Sequence, residues 1–438
     1  VLHYGTDLTV REYLGGVGEN ATSLHYMTVA APKLTAETLK LGVAKNAQGL
    51  LALVDTGAVA TVTGQAVVGE LGYGGLYVYD DSRFEAGSLH AALDAASTGY
   101  FEVRASTLTV GQIAAGDGQA TFQLLDKARL VLSASQADLF ANFGSDDAVF
   151  VSDGIIDTQG FDVRTGAVIS GADMTKAGSG RLTLAADNTL GGVVRIEAGT
   201  LQLGDGGTSG MIGASVINDG VLAFNRSDDV DFGTVISGTG AVHQIGKGTV
   251  ILSGDNSYAG GTVIRGGTLA VSQDANLGAA AGKITFEGGT LRTTADFASG
   301  RDLVFAGDGT VLTDAGTTLT LSSTLSGSGG FTKAGSGRLV LTADNGAYTA
   351  TTRVNEGTLS VNGVLGSHVD VAQQGRLGGN GRVGSVFNTG TVAPGNSFGT
   401  LTVVGNYVGN GGVLEIETAL GGDDSATDRL VVLGDTAG

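Results

Sequence analysis

The chain contains no cysteine, no tryptophan and only 2 prolines among its 438 residues. Without cysteine it has neither a disulfide framework nor a thiolate ligand for zinc. Disulfides are common in extracellular proteins, but their absence suits a chain that must pass unfolded through a narrow pore. The sequence also lacks a run of about 18 apolar residues, the length that a transmembrane helix requires. It begins in mid-pattern at Val1, and we expect it to be a fragment of a longer precursor.

Charge is also scarce. Charged residues make up 15% of the chain, and 43 acidic residues against 24 basic ones give a formal net charge of −19. Sequence-independent nucleic-acid binding needs clustered lysine and arginine at the phosphates, so the composition predicts no nucleic-acid partner. We interpret the acidity as a source of solubility, with a dedicated cation site as the alternative.

Glycine, by contrast, is abundant, with 76 residues and no triplet period, which excludes collagen. Hydrophobic residues make up 42% of the chain, too many for a disordered protein. They are mostly valine, leucine, isoleucine and alanine, with many threonines and serines among them. This mixture is typical of short strands joined by tight turns, and it predicts an all-β solenoid.

Internal repetition is the strongest signal in the sequence. Three units contain Gly-x-Gly followed by alternating aliphatic residues, then Asp-Asn, then Gly-Thr-Leu. In each unit 8 residues separate the second glycine from the asparagine, and 11, 11 and 12 residues separate that asparagine from Gly-Thr-Leu. The units begin at Gly178, Gly246 and Gly335, continue at Asp187-Asn188, Asp255-Asn256 and Asp344-Asn345, and end at Gly199-Thr200-Leu201, Gly267-Thr268-Leu269 and Gly357-Thr358-Leu359.

These units predict strands that bury every second side chain. Residues two apart point to the same face of a strand, and the Asp-Asn pieces are predicted to form turns because asparagine tolerates the left-handed backbone region. Each unit buries its inward residues only when a similar unit stacks above and below it. The predicted inward pairs are Leu182 and Leu184, Val250 and Leu252, and Leu339 and Leu341.

The rest of the chain divides around these units. In the N-terminal third, strand-like segments recur about every 21 to 25 residues, at 51–54, 76–79, 100–103 and 121–124. A short helical segment is predicted near 135–140. The last part of the chain changes character where a solenoid needs a cap for its open strand edges. We therefore predict N-terminal coils at 1–170, repeat-bearing coils at 171–365 and a cap at 366–438.

The repeats, together with Thr391–Val403 and Asp428–Val432, resemble the passenger domains of classical (type V) autotransporters, a group that includes pertactin and the AIDA and antigen-43 adhesins. The repeats look like that family's passenger-associated repeat, and the C-terminal segment is similar to its autochaperone region. The resemblance implies a right-handed parallel β-helix, exported N-terminus first through the outer membrane, whose cap templates folding. Within this folding cap we expect Leu401, Val403 and Leu430 to be inward residues.

Two short motifs imitate catalytic signatures. Gly395–Gly399 matches the Gly-x-Ser-x-Gly nucleophile elbow, which requires a later histidine, but the last histidine is His368. Gly379–Gly384 matches Gly-x-Gly-x-x-Gly without the helix that a dinucleotide site requires. The 5 histidines lie far apart and do not indicate a metal site. The sequence predicts no cofactor and no enzyme activity.

Acidic clusters leave alternatives open, because carboxylates in turns can bind Ca²⁺ or perform acid–base chemistry on glycans. Their spacing matches no calcium-loop pattern, which favours solvated turns. Asp228, Asp229 and Asp231 are the candidate binding or self-association residues. The other acidic pairs are Asp80-Asp81, Asp146-Asp147 and Asp423-Asp424.

Aromatic residues concentrate in the N-terminal third, at Tyr73, Tyr77, Tyr79, Tyr100 and Phe101. We expect most of them in the core or in stacks, with a surface subset available to glycans or protein.

The sequence as a whole predicts a surface-exposed adhesin or self-association factor, acting in autoaggregation and biofilm formation. The resemblance implies a location at the bacterial cell surface, with or without release, and contact with the outer membrane only through a barrel domain that these residues do not include. Expected partners are a host-cell surface, a matrix protein or glycan, or the same protein on neighbouring cells. Two alternatives stay open: a β-helical glycan-cleaving enzyme with a carboxylate groove, and a passive stalk for a head upstream of Val1.

Overall fold

The computed structural model describes residues 2–4, 7–28, 32–421 and 425–438. The chain divides into two compact units, residues 1–223 and 224–438. In each unit parallel strands stack into a β-solenoid, which confirms the predicted fold class. The three predicted segments, 1–170, 171–365 and 366–438, stay a prediction.

Short strands supply almost all of the regular structure of the first unit. They are β1 (Leu2–Tyr4), β2 (Leu8–Gly15), β3 (Thr22–Thr28), β4 (Lys33–Leu41), β5 (Gln48–Leu53), β6 (Val59–Val68), β7 (Tyr73–Val78), β8 (Arg83–Ala91), β9 (Thr98–Arg104), β10 (Thr107–Ala115), β11 (Gln119–Leu125), β12 (Arg129–Leu132), β13 (Phe140–Ala141), β14 (Ala148–Ser152), β15 (Gly154–Asp157), β16 (Val163–Thr165), β17 (Ile169–Gly171), β18 (Met174–Ala177), β19 (Arg181–Leu184), β20 (Thr189–Leu190), β21 (Val193–Ile196), β22 (Thr200–Leu203) and β23 (Ser215–Asn218), followed by β24 (Val221–Phe224) at the boundary.

The second unit continues the pattern and adds a short 3₁₀ helix, Asp274–Leu277. Its strands are β25 (Val230–Phe232), β26 (Ile236–Ser237), β27 (Ala241–Gln244), β28 (Thr249–Leu252), β29 (Thr262–Ile264), β30 (Thr268–Val271), β31 (Ile284–Phe286), β32 (Thr290–Thr293), β33 (Phe297–Ser299), β34 (Leu303–Phe305), β35 (Gly309–Thr313), β36 (Thr318–Leu321), β37 (Leu325–Gly327), β38 (Phe331–Ala334), β39 (Arg338–Leu341), β40 (Asp344–Asn345), β41 (Thr352–Val361), β42 (Val364–Leu365), β43 (Val369–Gly379), β44 (Arg382–Val383), β45 (Val386–Asn388), β46 (Thr391–Pro394), β47 (Thr400–Val403), β48 (Tyr407–Val408), β49 (Val413–Leu414), β50 (Arg429–Val432) and β51 (Thr436–Ala437).

In the first unit, strands from successive coils pair into parallel sheets that form the sides of the solenoid. The first sheet has the order β1-β3-β5-β7-β9-β11-β14-β17-β20, a second sheet runs from β2 through β4, β6 and β8 to β23, and a third contains β16-β19-β22. In the first sheet, Leu51 pairs with Leu76, Leu76 with Phe101, and Phe101 with Phe122. These pairs lie 25, 25 and 21 residues apart, which confirms the predicted recurrence.

The second unit has the same construction. One sheet follows the order β27-β29-β31-β34-β37, another runs from β25 through β28, β30, β32, β35, β38, β41 and β43, and a sheet near the C-terminus has the order β40-β42-β44-β47-β50. Aromatic side chains stack inside this unit: the rings of Phe286 and Phe305 are 4.8 Å apart with an angle of 6° between their planes. The core is therefore a set of columns, each shared by neighbouring coils.

The three sequence repeats fold largely as predicted. Their inward pairs are all 0–1% exposed: Leu182, Leu184, Val250, Leu252, Leu339 and Leu341. The prediction of a helical segment near 135–140 is wrong. Gln136 forms a parallel bridge with Val163, and Phe140 begins β13, because backbone groups at this edge pair with the neighbouring coils.

The repeat asparagines correct a second prediction. None of the three has a positive φ, so they do not act as left-handed turn residues. Each is instead buried, and its side-chain oxygen accepts a hydrogen bond from a backbone N–H one coil earlier. The bonds are Ile169 N to Asn188 at 2.9 Å, Ile236 N to Asn256 at 2.8 Å and Leu325 N to Asn345 at 2.7 Å.

A buried lysine also stabilises the first repeat through hydrogen bonds to backbone carbonyls. The Nζ of Lys176 donates hydrogen bonds to the carbonyl oxygens of Gly178, Gly180 and Ala198 at 2.5, 2.6 and 2.9 Å. The Lys176 side chain is fully buried, and the bond to Ala198 joins two coils.

The other repeats have a related residue at the same position. In the third repeat, the Nζ of Lys333 donates to the carbonyls of Ala334, Gly335 and Glu356. In the second repeat, the Nε2 of Gln244 donates to two glycine carbonyls, each at 3.1 Å. The sequence signal for this site was a lysine or glutamine two residues before Gly-x-Gly in every unit.

Candidate functional site

The outer surface of the first sheet carries an aromatic cluster on β7, β9 and the residue after β7. We call it the tyrosine face; it consists of Tyr73, Tyr77, Tyr79 and Tyr100, all of them partly exposed. Phe101, the fifth residue of the predicted cluster, points inward and is 1% exposed. Strand alternation explains the difference, since neighbouring residues point to opposite faces.

Gly75 allows Tyr77 to lie along the sheet. A Cβ atom at Gly75 would be 2.6 Å from Cδ2 of Leu50 and 2.8 Å from Cε2 of Tyr77. The Tyr77 ring therefore covers the space where a side chain at Gly75 would project. Its hydroxyl reaches back to Tyr73, with 3.2 Å between the two Oη atoms. The ring lies next to Gly75 on the outer side of the sheet and is partly exposed.

Tyr79 and Tyr100 flank this flat ring. The centroid of Tyr77 is 6.0 Å from that of Tyr79, with 65° between the planes, and 5.7 Å from that of Tyr100, with 40° between the planes. The three rings form a shallow groove with Tyr77 as its floor. Burial raises the pKa of Tyr100 to about 12 and also raises the pKa of Tyr77 and Tyr79. The hydroxyls are thus protonated at neutral pH, so each can donate one hydrogen bond and accept others.

A polar network borders the groove. Glu102 is the register partner of Tyr77 on the neighbouring strand, and it accepts a hydrogen bond of 2.9 Å from the Tyr100 hydroxyl. Arg104 donates to Glu102 at 3.3 Å and also pairs with Asp126. The guanidinium charge of Arg104 is therefore balanced by two carboxylates.

The predicted acidic residues of the second unit already have protein partners. Asp228 forms a bidentate ion pair with the buried Arg226 at 2.8–2.9 Å, and hydrogen bonds from that guanidinium hold the pKa of Asp228 below its usual value. Asp229 accepts the backbone N–H of Thr249 at 3.2 Å, and Asp231 accepts the Ser253 hydroxyl at 2.7 Å. Each of the three carboxylates therefore has a different protein partner. Their proposed role in binding stays a prediction.

The other acidic pairs lie in turns. Asp80 and Asp81 have positive φ values of 57° and 62°, and Asp147 accepts the backbone N–H groups of Gly144 and Ala120. Asp423 and Asp424 lie outside the described residues. Within the described ranges, no three His, Cys, Asp or Glu side chains are grouped closely enough to hold a metal ion. Over the same ranges, no helix has the length and apolar character needed to cross a membrane.

The predicted cap residues occupy one parallel ladder. Leu401 and Val403 on β47 are 0% exposed, while Leu430 on β50 is partly exposed. Leu401 is the register partner of Leu430. Leu401 and Val403 are thus core residues of this ladder, and the role of all three residues in folding stays a prediction.

The catalytic look-alike at Gly395–Gly399 connects two strands, β46 and β47, so the strand-to-helix context of a nucleophile elbow is missing at this site. The loop lines a polar cavity of about 230 Å³ together with Arg338, Arg376, Glu415 and Asp428. Arg376 makes a bidentate ion pair with Glu415, and Asp428 accepts the Gly399 N–H at 2.9 Å. The bond to Asp428 ties the loop to the segment that precedes β50. Residues Gly379–Gly384 likewise span the end of β43 and the strand β44.

Comparison with known families agrees with the repeat pattern. Residues 381–438 match the Autochaperone Domain Type 1, and residues 174–203, 242–271 and 331–361 match the Passenger-associated-transport-repeat. The three repeats fall inside the second set of ranges, and the first range lies within the predicted cap. No solved structure matches the chain.

Two of the curated relatives are named autotransporters. The Adhesin BmaC autotransporter of Brucella suis biovar 1 (strain 1330) is 40% identical over 247 residues, which are 56% of this chain and 7% of that protein. The Probable autotransporter YfaL of Escherichia coli (strain K12) is 28% identical over 268 residues, 61% of this chain and 15% of that protein. An Extracellular serine protease of Serratia marcescens is 37% identical over 109 residues, 24% of this chain and 10% of that protein.

The chain therefore spans only a small part of the length of these relatives. The repeats, the autochaperone match and the autotransporter relatives nevertheless agree with one another and with the parallel solenoid. The chain therefore has the passenger-associated repeats and the C-terminal autochaperone domain of a classical autotransporter passenger.

Proposed function

We propose that this part of the passenger is an adhesin, which attaches the bacterium to a host-cell surface or matrix through the side of its solenoid. The relative with 40% identity over 247 residues is named an adhesin, whereas the similarity to the extracellular protease extends over 109 residues. Display at the cell surface follows from the autotransporter family. The chain acts by binding in this proposal, and catalysis has no part in it.

The tyrosine face is the observation that carries this proposal. Tyrosine combines an apolar ring with a polar hydroxyl, which is why it is enriched at binding surfaces. Here the rings of Tyr77 and Tyr100 are fixed on a sheet whose strands pair on both sides. A surface that is already ordered loses little conformational entropy when it binds.

Bead adhesion tests the proposal directly. Beads coated with the purified chain are added to cultured epithelial cells and to matrix-coated wells, and the number of attached beads is compared with that of albumin-coated beads. We expect the chain to increase attachment several-fold. A variant with Tyr73, Tyr77 and Tyr100 changed to serine loses this increase. Attachment of the native chain no better than albumin overturns the proposal.

A matched control comes from the same sheet. Phe150 is 37% exposed and lies in the same outward column as Tyr77, beyond Glu102 and Gln123. Phe150→Ser also removes an exposed aromatic ring from the solenoid, but outside the tyrosine face. We expect it to attach like the native chain.

A second candidate function, self-association, is supported by a regular column on the second unit. Five threonines are successive register partners on β28, β30, β32, β35 and β38: Thr249, Thr268, Thr290, Thr310 and Thr332. All are partly exposed, and stacked strands space their hydroxyls by about 4.8 Å. Repeated weak contacts at even spacing add up to useful avidity, as autoaggregation and biofilm formation would require.

The ends of this column carry opposite charges. Asp229 contacts Thr249 at one end, and Arg353 is the register partner of Thr332 at the other. Two copies that pair in antiparallel orientation bring Asp229 of each copy to Arg353 of the other. This places one of the predicted self-association residues, Asp229, in a specific contact.

Charge exchange tests this pairing. Asp229→Arg and Arg353→Asp each place like charges opposite each other, so each alone is expected to abolish self-association measured by analytical ultracentrifugation and by clumping of displaying cells. The double variant restores opposite charges and is expected to recover association. Association that is unchanged in the single variants, or not restored in the double variant, rules out this arrangement.

A further inference from the structure

We propose that the tyrosine face binds a neutral oligosaccharide chain, with one sugar ring stacked on Tyr77. The inference rests on the proposed adhesin function and names the chemical class of its ligand. Three features carry it: the partly exposed ring of Tyr77 beside Gly75, the hydroxyls and carboxylate around it, and the charged groups next to it.

The groove has the shape of a sugar-stacking site. The ring of Tyr77 lies over Gly75 and is partly exposed, so part of it is available for stacking. An aromatic face of this kind packs against the C–H face of a pyranose ring, which buries apolar area without removing the sugar hydroxyls from water. Tyr79 and Tyr100 stand at 65° and 40° to this ring, and they limit sideways movement of a bound ring.

The polar groups lie where sugar hydroxyls would need partners. The paired hydroxyls of Tyr73 and Tyr77 lie at one end of the floor, and the carboxylate of Glu102 lies next to it across the strand pair. Together they supply both donors and acceptors. These groups already bond to one another, but their remaining acceptor sites can take hydrogen bonds from sugar hydroxyls, which a purely apolar partner cannot provide.

Charge selects among glycans. The cation beside the groove, Arg104, is balanced by Glu102 and Asp126, and the whole chain has a formal net charge of −19. A sulfated or uronic-acid chain would meet the carboxylates of Glu102 and Asp126, which together outnumber the single positive charge of Arg104. Neutral sugars avoid this repulsion.

A second ring extends the site along the solenoid. Tyr26, Ala52 and Tyr77 are successive register partners in the first sheet, and Tyr26 is partly exposed. Two strand spacings separate Tyr26 from Tyr77, about 9.6 Å, with the small side chain of Ala52 between them. This distance suits a chain of several sugars better than a single sugar, so affinity increases with chain length.

Tyrosine fluorescence measures the binding, because the chain has 10 tyrosines and no tryptophan. The native 438-residue chain is titrated with neutral hexasaccharides of β-linked glucose, β-linked N-acetylglucosamine and α-linked mannose, with the matching disaccharides, and with hexagalacturonate as the acidic comparison. We expect at least one neutral hexasaccharide to give a saturable change, with a Kd lower than that of its disaccharide. Hexagalacturonate is expected to bind more weakly.

Variants locate the site. Tyr77→Ala is expected to raise Kd at least about tenfold, as loss of a central aromatic contact does, whereas Tyr77→Phe keeps the stacking ring and retains most of the affinity. Phe150→Ala, an exposed aromatic on the same sheet, leaves Kd unchanged. Circular dichroism and thermal unfolding confirm that every variant is folded. If Tyr77→Ala unfolds, Tyr100→Ala replaces it.

Three results overturn the inference: no neutral hexasaccharide binds, binding is equal in native and Tyr77→Ala chains, or hexagalacturonate binds more tightly than every neutral chain. The bead assay separates this inference from the adhesin proposal. Beads that attach to cells without any glycan binding refute only the sugar ligand. Glycan binding by a chain whose beads do not attach refutes the adhesin function and leaves the sugar site intact.

Discussion

A Cβ atom added to Gly199 would lie 2.6 Å from the Nζ of Lys176, and 2.3 Å from the carbonyl oxygen of Gly180. Gly199 also has a φ of 67°, in the left-handed region that favours glycine. Its counterparts in the other repeats, Gly267 and Gly357, have φ values of 51° and 66°. The glycine of Gly-Thr-Leu thus leaves room for the polar side chain that joins the coils.

Gly199→Ala is therefore expected to destabilise the first unit. A left-handed conformation costs a residue with a Cβ about 1–2 kcal/mol, and the contacts with Gly180 and Lys176 add to this. We expect the free energy of unfolding, measured by urea titration, to fall by about 2 kcal/mol or more. Gly213→Ala is the matched control, since a Cβ at Gly213 meets nothing within 4 Å. Equal midpoints for the two variants would contradict the prediction.

Two substitutions of Lys176 compare an apolar side chain with the glutamine that occupies the same position in the second repeat. Lys176→Met keeps the length of the side chain but leaves the carbonyls of Gly178, Gly180 and Ala198 without this donor, and a buried group without a partner costs about 1–3 kcal/mol. Lys176→Gln reproduces the arrangement of Gln244 and retains part of the bonding. We expect Lys176→Met to lower the unfolding free energy more than Lys176→Gln does. The reverse order would show that the cost of burying a polar amide at this position outweighs the hydrogen bonds that it donates.

The same lysines make stability depend on pH. Burial lowers the pKa of Lys176 and of Lys333 to about 8, whereas a lysine in the unfolded chain has a pKa of about 10.4. Above about pH 8 the unfolded chain therefore binds more protons than the folded chain, and the lysine contribution to stability rises with pH. Tyr13 and Tyr258 act oppositely above about pH 10, because burial raises their pKa to about 12.

Urea midpoints between about pH 8 and 9.5 isolate the lysine effect from the tyrosines. The double variant Lys176→Gln with Lys333→Gln is expected to show a smaller upward slope of unfolding free energy with pH than the native chain. The two curves are compared at constant ionic strength. Identical slopes would mean that neither lysine loses its proton in this range.

The sequence was sufficient for the fold class because period-2 aliphatic pairs and regular spacing report directly on stacked strands. Leu182 and Leu184 needed no structural knowledge to be assigned inward positions. The roles of Asn188 and Lys176 could not be predicted, because their partners are backbone groups of other coils. Such partners depend on the register between coils, which local residue preferences do not determine.

The tyrosine face illustrates the same limit. The cluster of aromatics was visible in the sequence, and alternation along β9 separates the outward Tyr100 from the inward Phe101. The flat position of Tyr77 depends on Gly75, on the side chain of Leu50 and on the pairing of β7 with β9. Asp228 was equally visible, but its partner Arg226 changes it from a free carboxylate into one half of an ion pair.

Arg301 is expected to stabilise the coil that contains the 3₁₀ helix Asp274–Leu277. This helix is the only one among the described residues. Its side chain is 1% exposed; it pairs with Asp274 and donates to the carbonyls of Gly278, Ala279 and Gly282. Removing one partner of a buried ion pair costs about 3–5 kcal/mol, so we expect Arg301→Ala to lower thermal stability strongly and to expose residues 274–282 to proteolysis.

Arg292→Ala is the control for Arg301. It also removes a guanidinium that pairs with an aspartate, Asp314, but the Arg292 side chain is 44% exposed. Exposed pairs contribute about 0–1 kcal/mol, so a small loss of stability is expected. If both variants lower the melting temperature by the same amount, Arg301 does not have the structural role proposed for it.

The cap prediction compares two leucines with equal burial. Leu401 on β47 and Leu51 on β5 are both 0% exposed, so an aspartate in either position buries a carboxylate in a similar aliphatic column. If folding begins at the C-terminal cap, Leu401→Asp acts on the folding nucleus and Leu51→Asp acts on coils that form later. A destabilisation of about 3 kcal/mol that falls entirely on the folding step slows folding about 100-fold.

Refolding after dilution from urea, followed by circular dichroism of the strands, measures this difference. We expect Leu401→Asp and Val403→Asp to slow refolding of the chain far more than Leu51→Asp, which mainly speeds unfolding because later contacts are absent from the transition state. Leu430→Asp has a smaller effect than Leu401→Asp, since Leu430 is partly exposed. Equal refolding rates for Leu401→Asp and Leu51→Asp would show that the C-terminal coils do not template the rest.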